Sequence, residues 1–224
     1  MLRDHLEMGA PVAEYIAERW QQILYNSLQH ANLVFQAVIV ATVIAVLLAI
    51  LVVAVPRLES VANAISAIGL TLPSFALVGL LIPLTKIGTL TAFTCVAFYA
   101  VLPILRNAVV GLNQVDATLL ESARGMGLSS VATLLRVRLP LAWPVIHAGI
   151  RTSMQMSMGI AAIAAYVLGP GLGTYIFTGL VQVGGKNAVS AALVGTVGIV
   201  IIALLADLLL LLIGRLTISK GIRV

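Results

Sequence analysis

Charge is scarce in this sequence: 9% of its 224 residues are Asp, Glu, Lys or Arg, against 61% that are hydrophobic, and the mean hydropathy is +1.11. Soluble domains carry about a quarter of their residues charged, so a water-soluble globule is excluded and a polytopic membrane protein remains. Cysteine is nearly absent. The single Cys95 lies in an apolar run, which rules out an intrachain disulfide and reads as a small buried hydrophobe. The three histidines, His5, His30 and His147, are scattered; no carboxylate pair shares an apolar segment, and no glycine loop precedes a phosphate-binding lysine. The chain is therefore read as non-enzymatic, with no metal site and no cofactor of its own. A net charge of +5 would point to nucleic acid in a soluble protein. In an apolar chain, basic residues instead mark the cytoplasmic face, and no nucleic-acid partner is expected. The first thirty residues lack a basic segment followed by an apolar core, so no cleavable signal is expected and the first span serves as its own insertion signal.

What is present is a series of long apolar runs. Residues 1–30 interleave Arg3, Asp4, Glu7, Glu14, Glu18 and Arg19 with Val12, Ile16, Trp20 and Ile23; this suits an interfacial amphipathic helix or, equally, a frayed polar terminus. Spans are expected over about 32–55, 58–84, 88–110, 144–168 and 190–212, each long enough at about 1.5 Å per residue to cross a core of about 30 Å. Pro56 ends the first, and Arg57 and Glu59 make a tight turn. Gly69, Pro73, Gly79 and Pro83 should kink or break the second near Leu72-Pro73. Pro144 suits the first position of the fourth helix, with Arg151 within two turns of its start, and a glycine-rich connection, 169–187, leads to the fifth. Small residues at four-residue spacing, Ala161, Ala165 and Gly169 and then Ala191 and Gly195, allow close helix packing.

The distribution of Lys and Arg sets the orientation. With the loop after the third span inside, Arg57, Arg106, Arg124, Arg136, Arg138, Arg151, Arg215, Lys220 and Arg223 are cytoplasmic, and only Arg3, Arg19, Lys86 and Lys186 are outside. The N-terminal segment, 1–30, is then extracytoplasmic or interfacial, and the tail, 217–224, is cytoplasmic.

Between the third and fourth spans lies the one long polar segment, the loop 113–142, with Asp116 to Pro140 at its centre. Asp116 can cap a first short helix, Gly127 can end it in a left-handed conformation, Ser129 can cap a second, and Pro140 can stop that. Such a segment is built to meet an aqueous partner.

Within the spans, Asp207 is the one carboxylate. It suits structural pairing, with Arg106 and Asn107 as candidate partners, more than an ion site. The run Ser153 to Met158 alternates polar and thioether side chains and fits either a wet path or ordinary packing. Met154, Gln155 and Met158 are candidate path residues. Phe75, Tyr99 and Tyr166 join them because their ring faces could meet a cationic solute.

In the polar loop the residues spell Glu121-Ser122-Ala123, three residues, Gly127, nine residues, then Val137-Arg138-Leu139-Pro140. This resembles the EAA signature of permease subunits of ATP-binding-cassette importers, with Ser122 and Val137 as mild departures and no gap in the spacing. The resemblance covers residues 28–224. It implies an all-α polytopic membrane protein with the MetI-like, five-span core of type I ABC importer permeases (31–216) and a cytoplasmic coupling helix. It also implies ATPase contact through Asp116, Glu121, Ser122, Ala123, Arg124, Gly127, Leu139 and Pro140. The expected partners are ABC ATPase subunits, which hold ATP and Mg, an extracytoplasmic binding protein, a second permease copy or paralogue, and membrane lipid. The expected location is a bacterial or archaeal plasma membrane. The run 102–107, the run 166–173 and the basic tail are similar to permeases for glycine betaine, carnitine or choline. A permease for another small solute such as methionine, an ion-coupled carrier and a non-transporting scaffold are the alternatives.

Overall fold

The computed structural model describes residues 2–219 and Gly221, with side chains from Val12 onward; the expectations for Lys220 and Arg223 lie outside those residues, and those for Arg3, Asp4 and Glu7 outside the described side chains. Every regular element among the described residues is helical. In order these are α1 (Leu2–Ala54), α2 (Arg57–Thr71), α3 (Ser74–Thr85), α4 (Thr89–Asn113), α5 (Ala117–Gly125) and α6 (Ser130–Thr133). A π-helical turn (Leu134–Arg138), α7 (Leu139–Ala164), a 3-10 turn (Ala165–Val167), α8 (Gly173–Val181) and α9 (Ala188–Thr217) complete the chain.

The stretch Val12–Ala54 of α1, α4 and α9 are each long and apolar enough to cross a membrane. The separate amphipathic segment expected before residue 30 is instead the first part of α1, because no glycine or proline interrupts residues 12–54. Ala41, Ala45 and Ala49 form a fully buried row on α1. The opposite face exposes Val43, Leu47 and Leu51, as a lipid-facing helix does. After a break at Val55-Pro56, Arg57 and Glu59 begin α2 rather than forming the turn itself.

The second expected span is two helices, α2 and α3, bent by 101° at Leu72-Pro73. Proline disfavours helix in the residue before it and donates no hydrogen bond, so Leu72 leaves the helix and Pro73 starts the next. α7 is 26 residues long, about 39 Å, which is enough to cross a core of about 30 Å. His147, Arg151, Gln155 and its serines make it less apolar than α1, α4 and α9.

Two boundaries differ from expectation. Pro140 does not stop the second short helix. The chain runs from α6 through the π turn, closed by Leu139 N–H on the Leu134 carbonyl, into α7 with Pro140 at its second position. The widened turn shifts the ladder by one residue just ahead of the proline, which relieves the clash a proline ring makes with the carbonyl four residues earlier. α7 therefore begins five residues before Pro144. The 169–187 connection is also more ordered than expected, since it contains α8. Three glycines admit that helix. A Cβ at Gly173 would fall on the Ala162 carbonyl, one at Gly179 on the Ala188 carbonyl, and one at Gly195 on the Leu172 carbonyl.

The chain forms two compact units, residues 1–37, 72–97 and 154–206, and residues 38–71, 98–153 and 207–224. In the first, His30 is fully buried with Nε2 3.2 Å from the Met158 carbonyl, and a Cβ at Gly171, which stands at φ +125°, would lie 2.7 Å from its Nδ1. Tyr15 meets Tyr175 edge-on at 6.4 Å. In the second, the buried Ser153 hydroxyl donates to the Ala100 carbonyl at 2.8 Å, linking α7 to α4, and a Cβ at Gly149 would lie 2.7 Å from that of Asn107.

Gly171→Ala forces a side chain into a left-handed backbone, with its Cβ 2.8 Å from that of His30. It is expected to cost about 3 kcal/mol. Gly159→Ala adds a methyl with nothing within 4 Å, and helix propensity favours it by about 1 kcal/mol. Thermal unfolding of the two variants in one detergent should lower the midpoint for the first alone.

Candidate functional site

The polar stretch folds as two capped helical pieces joined by a tight turn. Asp116 Oδ1 accepts the Thr118 amide at 2.8 Å and so caps α5. This bond, and a second from the Thr118 side chain, pull the Asp116 carboxyl below the usual carboxylate range. At the other end the Leu128 amide donates to the Ala123 carbonyl at 3.1 Å and the Gly127 amide to the Arg124 carbonyl at 2.9 Å, with Gly127 at φ +84°. That is the Schellman closure, and it requires a left-handed residue at this position. Ser129 Oγ then accepts the Ala132 amide at 3.3 Å to start α6.

The expected coupling residues divide by exposure. Glu121, Ser122, Arg124 and Gly127 face outward, and a Cβ on Gly125 or Gly127 would meet nothing within 4 Å. Ala123, 1% exposed, points inward. Leu139 and Pro140 belong to the start of α7. Beside the outward set, Leu119, Met126, Val131 and Leu135 are exposed apolar side chains, Met126 at 74%.

The attachment of the loop rests on Arg138, which the sequence marks only by its charge and by its place in the signature. Arg138 donates from Nε to the Leu112 carbonyl at 2.8 Å and from Nη2 to Asn113 Oδ1 at 3.4 Å, while Asn113 Nδ2 donates to Glu59 at 3.2 Å. A guanidinium thus serves one of the backbone carbonyls where α4 ends, and the side chain of the helix's last residue. Burial, and then the nearby Arg124 charge, pull its pKa down. An arginine 26 residues beyond the carbonyl it caps has no local signature, so sequence spacing does not reveal it.

Asp207 pairs, but not with the expected partners. Arg151 Nε and Nη2 donate to its two carboxylate oxygens, each at 3.0 Å, in a bidentate fork. Arg106 is exposed, and Asn107 donates to the Pro103 carbonyl at 2.8 Å. The helix boundary accounts for the difference: with α7 starting at Leu139 rather than near Pro144, Arg151 lies about 18 Å along it instead of within its first two turns. One turn earlier His147 is buried, and a Cβ at Gly214 would lie 2.8 Å from its ring, so α7 and α9 pack closely there. Trp143 Nε1 adds a 2.8 Å bond to Thr217 Oγ1.

The candidate path residues do not form one group. Met154 and Met158 are buried, at 2% and 1% exposure, while Gln155 is exposed. Tyr99 is buried against Phe98, edge-on at 5.5 Å. Phe75 and Tyr166 do come together, edge-on at 5.6 Å, with Phe177 of α8 at 6.3 Å from Phe75 and 5.7 Å from Tyr166. Phe75 is 49% and Tyr166 66% exposed, which leaves ring faces open. Phe177 was not singled out from sequence, because the connection carrying it was not read as a helix.

The profile of the binding-protein-dependent transport system inner membrane components matches residues 38–218, loop and flanking helices included. The chain belongs to this family. The choline transport system permease protein OpuBB of Bacillus subtilis (strain 168) is 38% identical over 169 residues, 75% of this chain and 78% of its own. The glycine betaine/carnitine/choline transport system permease protein OpuCB of the same organism is 36% identical over 205 residues, 90% and 91% of the two chains. The osmoprotectant import permease protein OsmW of Salmonella typhimurium is 37% identical over 200 residues, 87% of this chain and 91% of its own. Among solved structures, the MetNI methionine ABC transporter in an inward facing conformation matches with a TM-score of 0.79 at 20% identity, over 90% of this chain and 99% of that chain. At that identity the likeness is one of fold. Permeases of this family are membrane subunits of ABC importers, and this chain has their all-helical core.

Two outcomes follow from the side-chain geometry. Asp207→Asn removes the counter-charge of a partly buried guanidinium and is expected to cost about 2–3 kcal/mol. Exchanging Arg151 and Asp207 should recover part of that loss, whereas exchanging Arg106 and Asp207 should not; unfolding of the purified variants decides. The depressed Asp116 pKa fixes a pH window: the cap contributes fully above the unfolded value and is lost as pH falls through the folded one. Amide-exchange protection at the start of α5 is therefore expected to hold down to about pH 5 and to fall only below about pH 4.

Proposed function

We propose that this permease carries a small quaternary-amine osmoprotectant, such as glycine betaine, carnitine or choline, and is driven by ATPase subunits that bind the loop from Asp116 to Pro140. The observation that carries the cargo reading is the set of relatives at 36–38% identity, spanning three quarters or more of both chains, whose names specify such solutes or osmoprotectants. A quaternary ammonium cannot donate a hydrogen bond and is held by dispersion and by the negative faces of aromatic rings. The trio of Phe75, Tyr166 and Phe177, of which Phe75 and Tyr166 are exposed and Phe177 is half-buried, suits it, in a chain with only 5% aromatic residues. Gln155, exposed on α7, adds a neutral donor and acceptor for a carboxylate or hydroxyl.

The coupling reading rests on shape. The Schellman closure makes α5 short and stiff, its outward side carries Glu121 and Arg124 as charged handles, and Met126 and Val131 offer apolar contact. Such a surface can take up a push and, through Arg138, pass it to the end of α4. A binding protein delivers cargo on the opposite side, and two permease subunits, identical or paralogous, rock between outward-open and inward-open states. The bias of Lys and Arg supports the N-terminus outside and the C-terminus inside.

Uptake of labelled glycine betaine by the reconstituted complex, with choline and methionine as competitors, tests the cargo. Choline is expected to compete and methionine not; the reverse pattern overturns the cargo reading. Gly127→Val puts a β-branched residue at φ +84° where a side chain meets nothing within 4 Å, so only the backbone turn is disturbed. It is expected to insert normally and lose about tenfold or more of ATP-driven uptake, equivalent to about 1.4 kcal/mol or more, whereas Gly125→Ala retains activity.

A further inference from the structure

The second compact unit holds a cavity of about 260 Å³ to which the cargo and coupling readings assign no ligand, although Arg124 and Arg138 of the coupling loop line it. One wall is apolar, made by Ile50, Val53 and Ala54 at the end of α1 and by Leu112 of α4. The other carries Arg124, Arg138 and Thr133.

Three features of the polar wall belong together. Neither guanidinium has a carboxylate partner among the described residues. Glu121, three positions before Arg124, forms no ion pair with it, and Glu59 reaches Arg138 only through Asn113. The two cations are near enough that Arg124 makes it harder for Arg138 to hold its charge, which leaves a local excess of positive charge. Arg138 commits Nε and Nη2 to α4 and keeps Nη1 unused. The Thr133 side chain is 5% exposed, and its buried hydroxyl has no hydrogen-bond partner. A threonine in a helix ordinarily bonds the carbonyl a turn earlier, and a buried hydroxyl left unpaired is costly.

We propose that this cavity binds the phosphate of an anionic phospholipid, with Arg124, Arg138 and the Thr133 hydroxyl as donors and an acyl chain against Ile50 and Val53. Phosphate suits a pair of guanidiniums and a hydroxyl better than a carboxylate does, because it presents more acceptor oxygens in more directions. The apolar wall selects a lipid over a free anion. Leu47 and Leu51, exposed on α1 beside Ile50 and Ala54, extend the apolar surface available to an acyl chain. The site lies where the loop joins the spans, so its occupant neutralises the charge next to the bond that holds Arg138 to α4.

The inference does not depend on the cargo. Native mass spectrometry of the purified full-length complex, delipidated and then supplied with phosphatidylglycerol, phosphatidylcholine or inorganic phosphate, tests it. One tightly retained phosphatidylglycerol is expected, with phosphatidylcholine retained less and inorganic phosphate failing to displace the lipid. Arg124→Gln and Thr133→Val should each weaken retention about tenfold, the loss of one contact to a charged group. Thr133→Val preserves side-chain shape, and its unchanged unfolding midpoint separates loss of the ligand from loss of the fold. Undiminished retention in both variants, or displacement by inorganic phosphate, overturns the proposal. So does retention that depends only on whether the ATPase is bound, which would assign the two arginines to a protein carboxylate.

Discussion

The hydrogen bond from Arg138 to the Leu112 carbonyl is the constraint on which the polar loop depends. α4 ends at Asn113 and the π turn ends at Arg138, so this one guanidinium joins the two ends of the excursion between them. It also serves a carbonyl of the kind that a terminating helix leaves without a partner. Without it, the π turn would lose its side-chain tie to the end of α4, and a force on α5 would move the loop more than the spans. The Asp116 cap, the Schellman closure at Gly127 and the Ser129 cap then stiffen what Arg138 anchors.

A second rigid connection joins the spans themselves. The bidentate pair of Arg151 and Asp207 links α7 to α9, with His147 against Gly214 one turn away and Trp143 bonded to Thr217 beyond it. In lipid there is no hydrophobic drive between helices, so close approach at glycine and a few strong polar contacts hold them. The loop's contact to α4 and this pair on α7 lie in the same compact unit. A displacement received at α5 therefore meets a stiff body. The aromatic trio and Gln155 belong to the other unit.

How much of this was legible in the sequence depends on the range of the interaction. Local rules carried the polar loop well: the Asp116 cap, the left-handed Gly127 and the Ser129 cap all depend on residues within one turn, and all form. The break at Leu72-Pro73 was legible for the same reason. Pro140 misled because a proline's effect depends on the ladder ahead of it, and a π turn, which has no compositional mark, absorbs it. α7 therefore starts at Leu139 rather than near Pro144, and Arg151, placed by sequence near the helix start, sits deep enough along it to pair with Asp207. α8 was missed because Gly173, Gly179 and Gly195 read as loop formers, while in the fold they are points of close backbone approach. Arg138 on Leu112 joins residues 26 apart, and no periodicity records it.

The central claim, that the loop from Asp116 to Pro140 is the surface through which work enters, can be measured at one residue. Met126 is exposed beside the Gly127 turn, and Cys95, the chain's one cysteine, is buried, so Met126→Cys gives a single accessible thiol. In the assembled transporter, a short thiol cross-linker at position 126 is expected to capture the ATPase subunit with a yield that changes between the ATP-bound and nucleotide-free states. A thiol placed at Leu84, exposed at the end of α3, should capture none. Capture of the ATPase from position 84 and not from position 126 would contradict the account.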